Sequence, residues 1–159
     1  MKTKLLDRIK KIPKYLFLFL VGGAAYVGIE IMFRGYSHPA MYVVGGLCFI
    51  FCGLINEKID WYLPLISQQF LGMCFITIIE FISGCILNLW LKLGIWDYSK
   101  MPYNLFGQIC LLFTICWFFL SIVGIVLDDI LRWKFYGEEK PRYYILGFHK
   151  GSKHKFICL

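Results

Sequence analysis

A chain of 159 residues that is 59% hydrophobic and only 17% charged is too apolar for a soluble domain, which runs nearer about 45–50% apolar and about 25% charged. Its formal charge of +7 does not point to nucleic acid, because no recognition motif accompanies it and the basic residues gather near the two ends, beside apolar runs. Runs of this length have lipid as their natural solvent.

Six of the 17 Lys and Arg fall in residues 1–14, and residues 15–33 form the first apolar segment. A basic stretch before an apolar run resembles a secretory signal, whose apolar region spans about 7–15 residues and ends at a small-residue cleavage site. This run is longer and ends at Phe33-Arg34, so it is expected to stay as a first transmembrane helix. Glu30 and Arg34 stand one turn apart on it. Two readings are open for them: an i, i+4 ion pair at a helix end, or the wall of an outward vestibule that His38 joins.

Residues 39–55 form a second, slightly short segment, and residues 64–91 a third that is long enough to tilt or project beyond a core about 30 Å thick. Glu80 lies near the middle of the third. Helical spacing puts Thr77, Glu80, Gly84 and Asn88 on one face, and Gln69 extends it. A charge at the bilayer centre costs at least about 2.5–3.5 kcal/mol, so this stripe is expected to face protein or water. It is either a substrate, ion or proton site, or a buried carboxyl that holds helices together.

The connection at residues 92–106 is the longest between segments and carries Trp96, Asp97, Tyr98, Ser99, Lys100, Pro102, Tyr103 and Asn104. Asp97, Ser99 and Asn104 favour local turns and Pro102 a bend. The loop reads as an interfacial plug or as a lid over Glu80. In the fourth segment, residues 107–131, Gly107, Thr114, Ser121 and Asp128 recur every seven residues, with Trp117 and Gly124 between them. That is a narrow seam of small and polar side chains suited to close helix contact. Asp128-Asp129 stands just before Arg132, in position for a local ion pair.

Seven Lys and Arg lie from Arg132 onward. Counting by side puts fourteen with the termini and the 56–63 connection, against Arg34, Lys92 and Lys100 opposite. The positive-inside rule therefore predicts both termini in the cytoplasm. Trp61, Tyr62, Trp90, Trp96, Tyr98, Tyr103 and Trp133 fall near span ends, as an aromatic belt does. Six of the seven cysteines sit inside apolar runs without zinc-site spacing. No metal and no cofactor is predicted, and no nucleophile motif is visible; His149 and His154 belong to the basic tail.

Glu80-x3-Gly84, then Trp96-Asp97-Tyr98-Ser99, then Pro102-x-Asn104-x2-Gly107-x-Ile109-Cys110 resembles the family called putative ABC-transporter type IV (CmpB-like). Glu30 and Gly45-Gly46 are similar to its N-terminal half, and the likeness covers roughly residues 15–135. The resemblance implies a multi-pass, permease-like protein of a bacterial inner membrane. No Walker A motif is present, so an ATP-driven role implies a separate subunit.

The expected architecture is an all-α polytopic bundle of four transmembrane helices at residues 15–131, between a basic cytoplasmic N-terminus (1–14) and a basic cytoplasmic tail (132–159). The expected function is that of a membrane-transport component. Its polar site lies in the outer half and is drawn from Glu30, Arg34, Glu80, Asn88, Trp96, Asp97, Tyr98, Ser99 and Asn104. Four helices are few to enclose a pathway, which implies a homo-oligomer or partner membrane subunits. The basic ends are expected to meet anionic lipid headgroups. Two other readings stay open: an enzyme acting on a lipid or polyprenyl substrate through a metal and phosphate at Asp128, Asp129 and Arg132, and a structural or regulatory subunit that binds a partner through the Thr114/Ser121 seam.

Overall fold

The computed structural model describes residues 13–58 and 63–143, with the backbone of 157–158. The basic segment before Pro13, the belt residues Trp61 and Tyr62, and His149 and His154 of the tail lie outside the described residues. Four helices carry the fold: α1 (Lys14–Arg34), α2 (Pro39–Lys58), α3 (Leu65–Gly84) and α4 (Leu111–Leu131). Helix α3 runs on through a π-helical turn, Cys85–Trp90, and α4 through another, Arg132–Tyr136. With these turns, Leu65–Trp90 and Leu111–Tyr136 are 26 residues each, about 39 Å of helix. Together with α1 they are three helices long and apolar enough to cross a membrane, and Pro39–Ile55 is a shorter apolar one. The protein is a membrane protein of all-α class.

The helix ends follow from local chemistry. Helix α1 stops where Gly35 takes φ 78° and returns its N–H to Ile31 O (2.8 Å), the left-handed cap that glycine favours. Helix α2 begins with Pro39 in its first turn, where a missing N–H costs nothing. His38 Nδ1 accepts the Ala40 N–H (3.2 Å). His38 is therefore a cap for α2 and does not join the Glu30–Arg34 pair.

Glycines set how closely the helices approach. Helices α1 and α2 are zipped by reciprocal seats: Gly22 receives Phe49 and Gly23 receives Tyr42, while Gly45 receives Tyr26 and Gly46 receives Phe19. Helices α3 and α4 are clamped at Gly72, which faces Ser121, and by two bonds. Gln69 Nε2 donates to Phe118 O (3.2 Å), and Ser121 Oγ donates to Gln69 O (3.1 Å). Helix α2 meets α4 where Gly53 faces Asp128. Helix α1 has few contacts with α4.

The inward stripe of α3 is Gln69, Gly72, Ile76, Glu80 and Gly84. Thr77, expected on that face, is half-buried beside it, and its hydroxyl has no hydrogen-bond partner among the described residues. The start of α4 differs more. Residues 107–110 are not helical: Asn104–Leu105 pairs antiparallel with Ile109–Cys110 as β1 and β2. Phe106 (φ 50°) and Gly107 (φ 68°) turn the chain between them, and Gln108 N donates to Leu105 O (3.0 Å). This is a type I′ hairpin turn. Gly107 therefore leaves the helical seam, which runs through Trp117, Ser121, Ile125 and Asp128; Thr114 is half-buried. A second short ladder, β3 (Arg142–Tyr143) with β4 (Ile157–Cys158), brings the tail backbone together.

A Cβ built at Gly53 would collide with the Asp128 carboxylate, whereas one at Gly28 meets nothing within 4 Å. Gly53→Ala is expected to cost about 1–3 kcal/mol through overpacking, and Gly28→Ala nothing. Scanning fluorimetry of the purified protein in detergent tests this; equal melting of the two variants would mean that the α2–α4 approach is not held by this contact.

Candidate functional site

Glu80 sits at the centre of the bundle, 6% exposed, with both carboxylate oxygens engaged from different elements. Tyr98 of the loop donates its hydroxyl to Oε1 (3.1 Å), and Trp117 of α4 donates its indole N–H to Oε2 (2.7 Å). The Tyr98 ring stacks on Phe113 at 4.7 Å, and Trp117 stacks on Tyr26 of α1 at 6.1 Å. Burial, reinforced by the neighbouring Glu80 carboxylate, lifts the Tyr98 hydroxyl well above its usual range. It therefore stays protonated and serves as a donor.

An open cleft lies beside this carboxylate. It is lined by α1, α2 and α4 and by Ile76 and Glu80 of α3; Tyr26, Cys48, Cys52, Trp117 and Ser121 are among its walls. Among the described residues that line it, Glu80 is the one that carries a charge. The lining is otherwise almost wholly apolar.

The loop itself is a folded plug. Asn88 is turned toward it by the π-helical turn that follows Gly84. Its Nδ2 donates to Trp96 O (3.1 Å) and Gln108 Oε1 (2.9 Å), and its Oδ1 accepts the Ile95 N–H (2.7 Å). Trp96 Nε1 donates to Gln108 O (2.9 Å). Gly84 leaves the room for this, since a Cβ there would lie 2.7 Å from Gln108 Oε1. Asn104 accepts the Gly107 N–H and donates to Met101 O (2.7 Å) and Ser99 O (3.2 Å). Asp97 accepts from the Ser99 N–H (2.8 Å) and hydroxyl (3.0 Å), and these bonds hold its carboxyl below the usual range.

Glu30 and Arg34 form the i, i+4 ion pair, and Ser37 donates to the same carboxylate. Arg34 also donates to Ile95 O (3.0 Å), which ties α1 to the loop. Of the nine residues singled out from the sequence, Glu80 and Tyr98 meet at the cleft wall. Asn88, Trp96, Asp97, Ser99 and Asn104 build the loop, and Glu30 with Arg34 braces its edge. The sequence reading left out Tyr26 and Gln108. It also placed Trp117 in the helix seam without linking it to Glu80. Gln108 is 3% exposed. Its position, a lone uncharged amide at the mouth of an apolar run, is a signal that backbone groups nearby need a partner.

At the opposite end, Arg132 is 1% exposed. It pairs with Asp128 and lies 3.5 Å from Glu57, while Lys14 binds Glu138 (2.6 Å). Tyr143 donates to Asp129 (2.6 Å). The adjacent carboxylates thus face different partners, as side chains about 100° apart on a helix do. Among the described residues no three His, Cys, Asp or Glu side chains converge as a metal site would need.

Residues 15–143 match the family described as Putative ABC-transporter type IV. No curated protein matches the chain, and no solved structure matches it.

Gln108→Ala removes the acceptor for Asn88 and strands polar groups that are worth about 1–3 kcal/mol each when buried unpaired. Amide exchange at residues 95–108 is expected to quicken markedly, and Lys100→Ala, at an exposed turn, to leave it nearly unchanged. Unaltered protection in Gln108→Ala would mean that the loop is held elsewhere.

Proposed function

The chain belongs to the Putative ABC-transporter type IV family, and we propose that it is the membrane-embedded component of a transport assembly, with Glu80 at its ligand-facing site. One observation carries the reading. Glu80 is an ionisable group inside a membrane bundle, bonded at once by the loop through Tyr98 and by α4 through Trp117, at the wall of an open cleft. Intramembrane carboxylates facing a bundle interior mark substrate and ion pathways. A group reaching Glu80 from the cleft competes with donors from two elements, so occupancy of the site is coupled to the position of the loop.

The chain has no nucleotide-binding loop, so energy comes from a separate subunit. A cleft walled by only four helices and open on one side supports a partner or a second copy completing the pathway. Both termini are assigned to the cytoplasm and the loop to the outside of the cell membrane, from the bias of basic residues. With Ser99→Cys on a background without native cysteines, a membrane-impermeant thiol reagent is expected to label intact cells; protection until the cells are opened would reverse the orientation.

A second reading, a structural or regulatory subunit, draws on the same geometry, because Glu80 is nearly enclosed and both of its oxygens have donors. Reconstitution with the subunits that copurify separates the two. Glu80→Gln is expected to lower ATP-dependent flux in proteoliposomes at least tenfold, about 1.4 kcal/mol of lost stabilisation, while assembly is unchanged. Equal flux removes Glu80 from the mechanism, and a loss of assembly with it moves the role to subunit contact.

A further inference from the structure

Resting on the reading of Glu80 as the ligand-facing site, we infer that the cleft takes an amphiphilic cation, a molecule with an elongated apolar body and a single ammonium head that meets the Glu80 carboxylate. The cleft is an open groove, and its walls are hydrophobic apart from Glu80 at one end. Its lining residues on α4 run from Trp117 to Leu127, about 15 Å of helix. An extended chain fits that shape better than a compact solute.

Entry is from the lipid side. Ala25 of α1 is exposed on the rim, and Val123 of α4 is 55% exposed across from it. The contact between these two helices is thin. A ligand already dissolved in the bilayer therefore reaches the cleft without crossing water.

The charge of the head follows from what Glu80 lacks. Its two donors are a phenol and an indole, both neutral. Among the described residues no Lys, Arg or His lies within ion-pair distance of it, and the nearest candidate on α1, Arg34, is committed to Glu30. An ionised carboxylate has about four acceptor positions, so two remain for a ligand. Tyr26 adds a hydroxyl that makes no hydrogen bond to a described residue, in the same wall as Glu80. A cationic head offers the opposite charge that a desolvated carboxylate otherwise goes without. An anionic lipid head is repelled there, and a neutral tail gains nothing from Glu80.

The test uses the full chain in lipid nanodiscs and two photoreactive probes of equal chain length, a diazirine-bearing primary alkylammonium and the matching alkyl alcohol. Labelled residues are mapped by mass spectrometry across a concentration series. The ammonium probe is expected to label the Val123–Leu127 stretch saturably, at concentrations ten- to a hundredfold lower than the alcohol, the span of a charge-assisted bond. Glu80→Gln is expected to bring the two probes to parity, and Ala25→Phe, which fills the rim, to abolish both. Equal labelling by the two probes in the wild type overturns the inference and makes the cleft a seat for lipid tails. Labelling outside the cleft overturns it too. The wild-type comparison needs no variant, so misfolding of Glu80→Gln leaves the test intact. Saturable ammonium binding without flux of that probe keeps this inference and removes the transport reading; flux of another solute by a protein that cannot tell the probes apart does the reverse.

Discussion

The bonding of one carboxylate organises the loop end of this molecule. Placing Glu80 at bilayer depth costs at least about 2.5–3.5 kcal/mol on insertion scales, and the fold meets that cost with donors from two directions. Trp117 arrives on α4, which needs only the α3–α4 clamp at Gly72 and Ser121 to hold it in register. Tyr98 must come from outside the span, so the loop has to fold down onto the bundle. Everything that fixes the loop serves that descent. Asn88 holds the backbone at Ile95 and Trp96, Gln108 locks Trp96, and Gly84 leaves space for both. The type I′ turn at Phe106-Gly107 is part of the same arrangement, with a bulky residue at positive φ where the penalty must be met by surrounding contacts.

The two ends of the bundle are closed by different means. At the loop end one ion pair, Glu30 with Arg34, is joined to backbone carbonyls and hydroxyls. At the other end Lys14, Glu57, Arg132, Asp128 and Glu138 form a network across three helices. Between them the helices associate through small residues, as they must where lipid offers no hydrophobic drive for helix contact. The glycine seats zip α1 to α2, and the polar clamp joins α3 to α4. Contact between α1 and α4 is left thin, and the cleft lies along that seam. The open space is thus a consequence of where the glycines are.

Much of the architecture is legible from hydropathy alone, because backbone groups in lipid leave helix as the only economical choice. The apolar runs mark the helices within a few residues, and Glu80, Asn88 and the Trp-Asp-Tyr-Ser loop stand out as polar groups in apolar surroundings. Roles are harder to read. Asn88 looks like a ligand residue by position, but its three bonds go to the loop. The heptad spacing of Gly107 with Thr114, Ser121 and Asp128 is compatible with a helix, yet Gly107 is needed at φ 68° in a turn, and local turn chemistry overrides the pattern. Gln108 and Tyr26 act through contacts distant in sequence, which no periodicity encodes.

A comparison among the carboxylates shows why Glu80 stands apart. Glu30 has Arg34, Asp128 has Arg132, Glu57 has Arg132 and Lys14, and Glu138 has Lys14. Each of these charges is neutralised within the chain, so each is accounted for by stability alone. Asp97 lies on the exposed loop and is satisfied by Ser99, and Asp129 accepts from Tyr143 at the charged end of the bundle. Glu80 is buried near the middle of its apolar helix and has two neutral donors. If the chain needed only a brace between loop and helix, an amide would link the same partners without a charge to desolvate. A carboxylate earns its place here only if the charge itself is used, and the cleft is where something can arrive to use it.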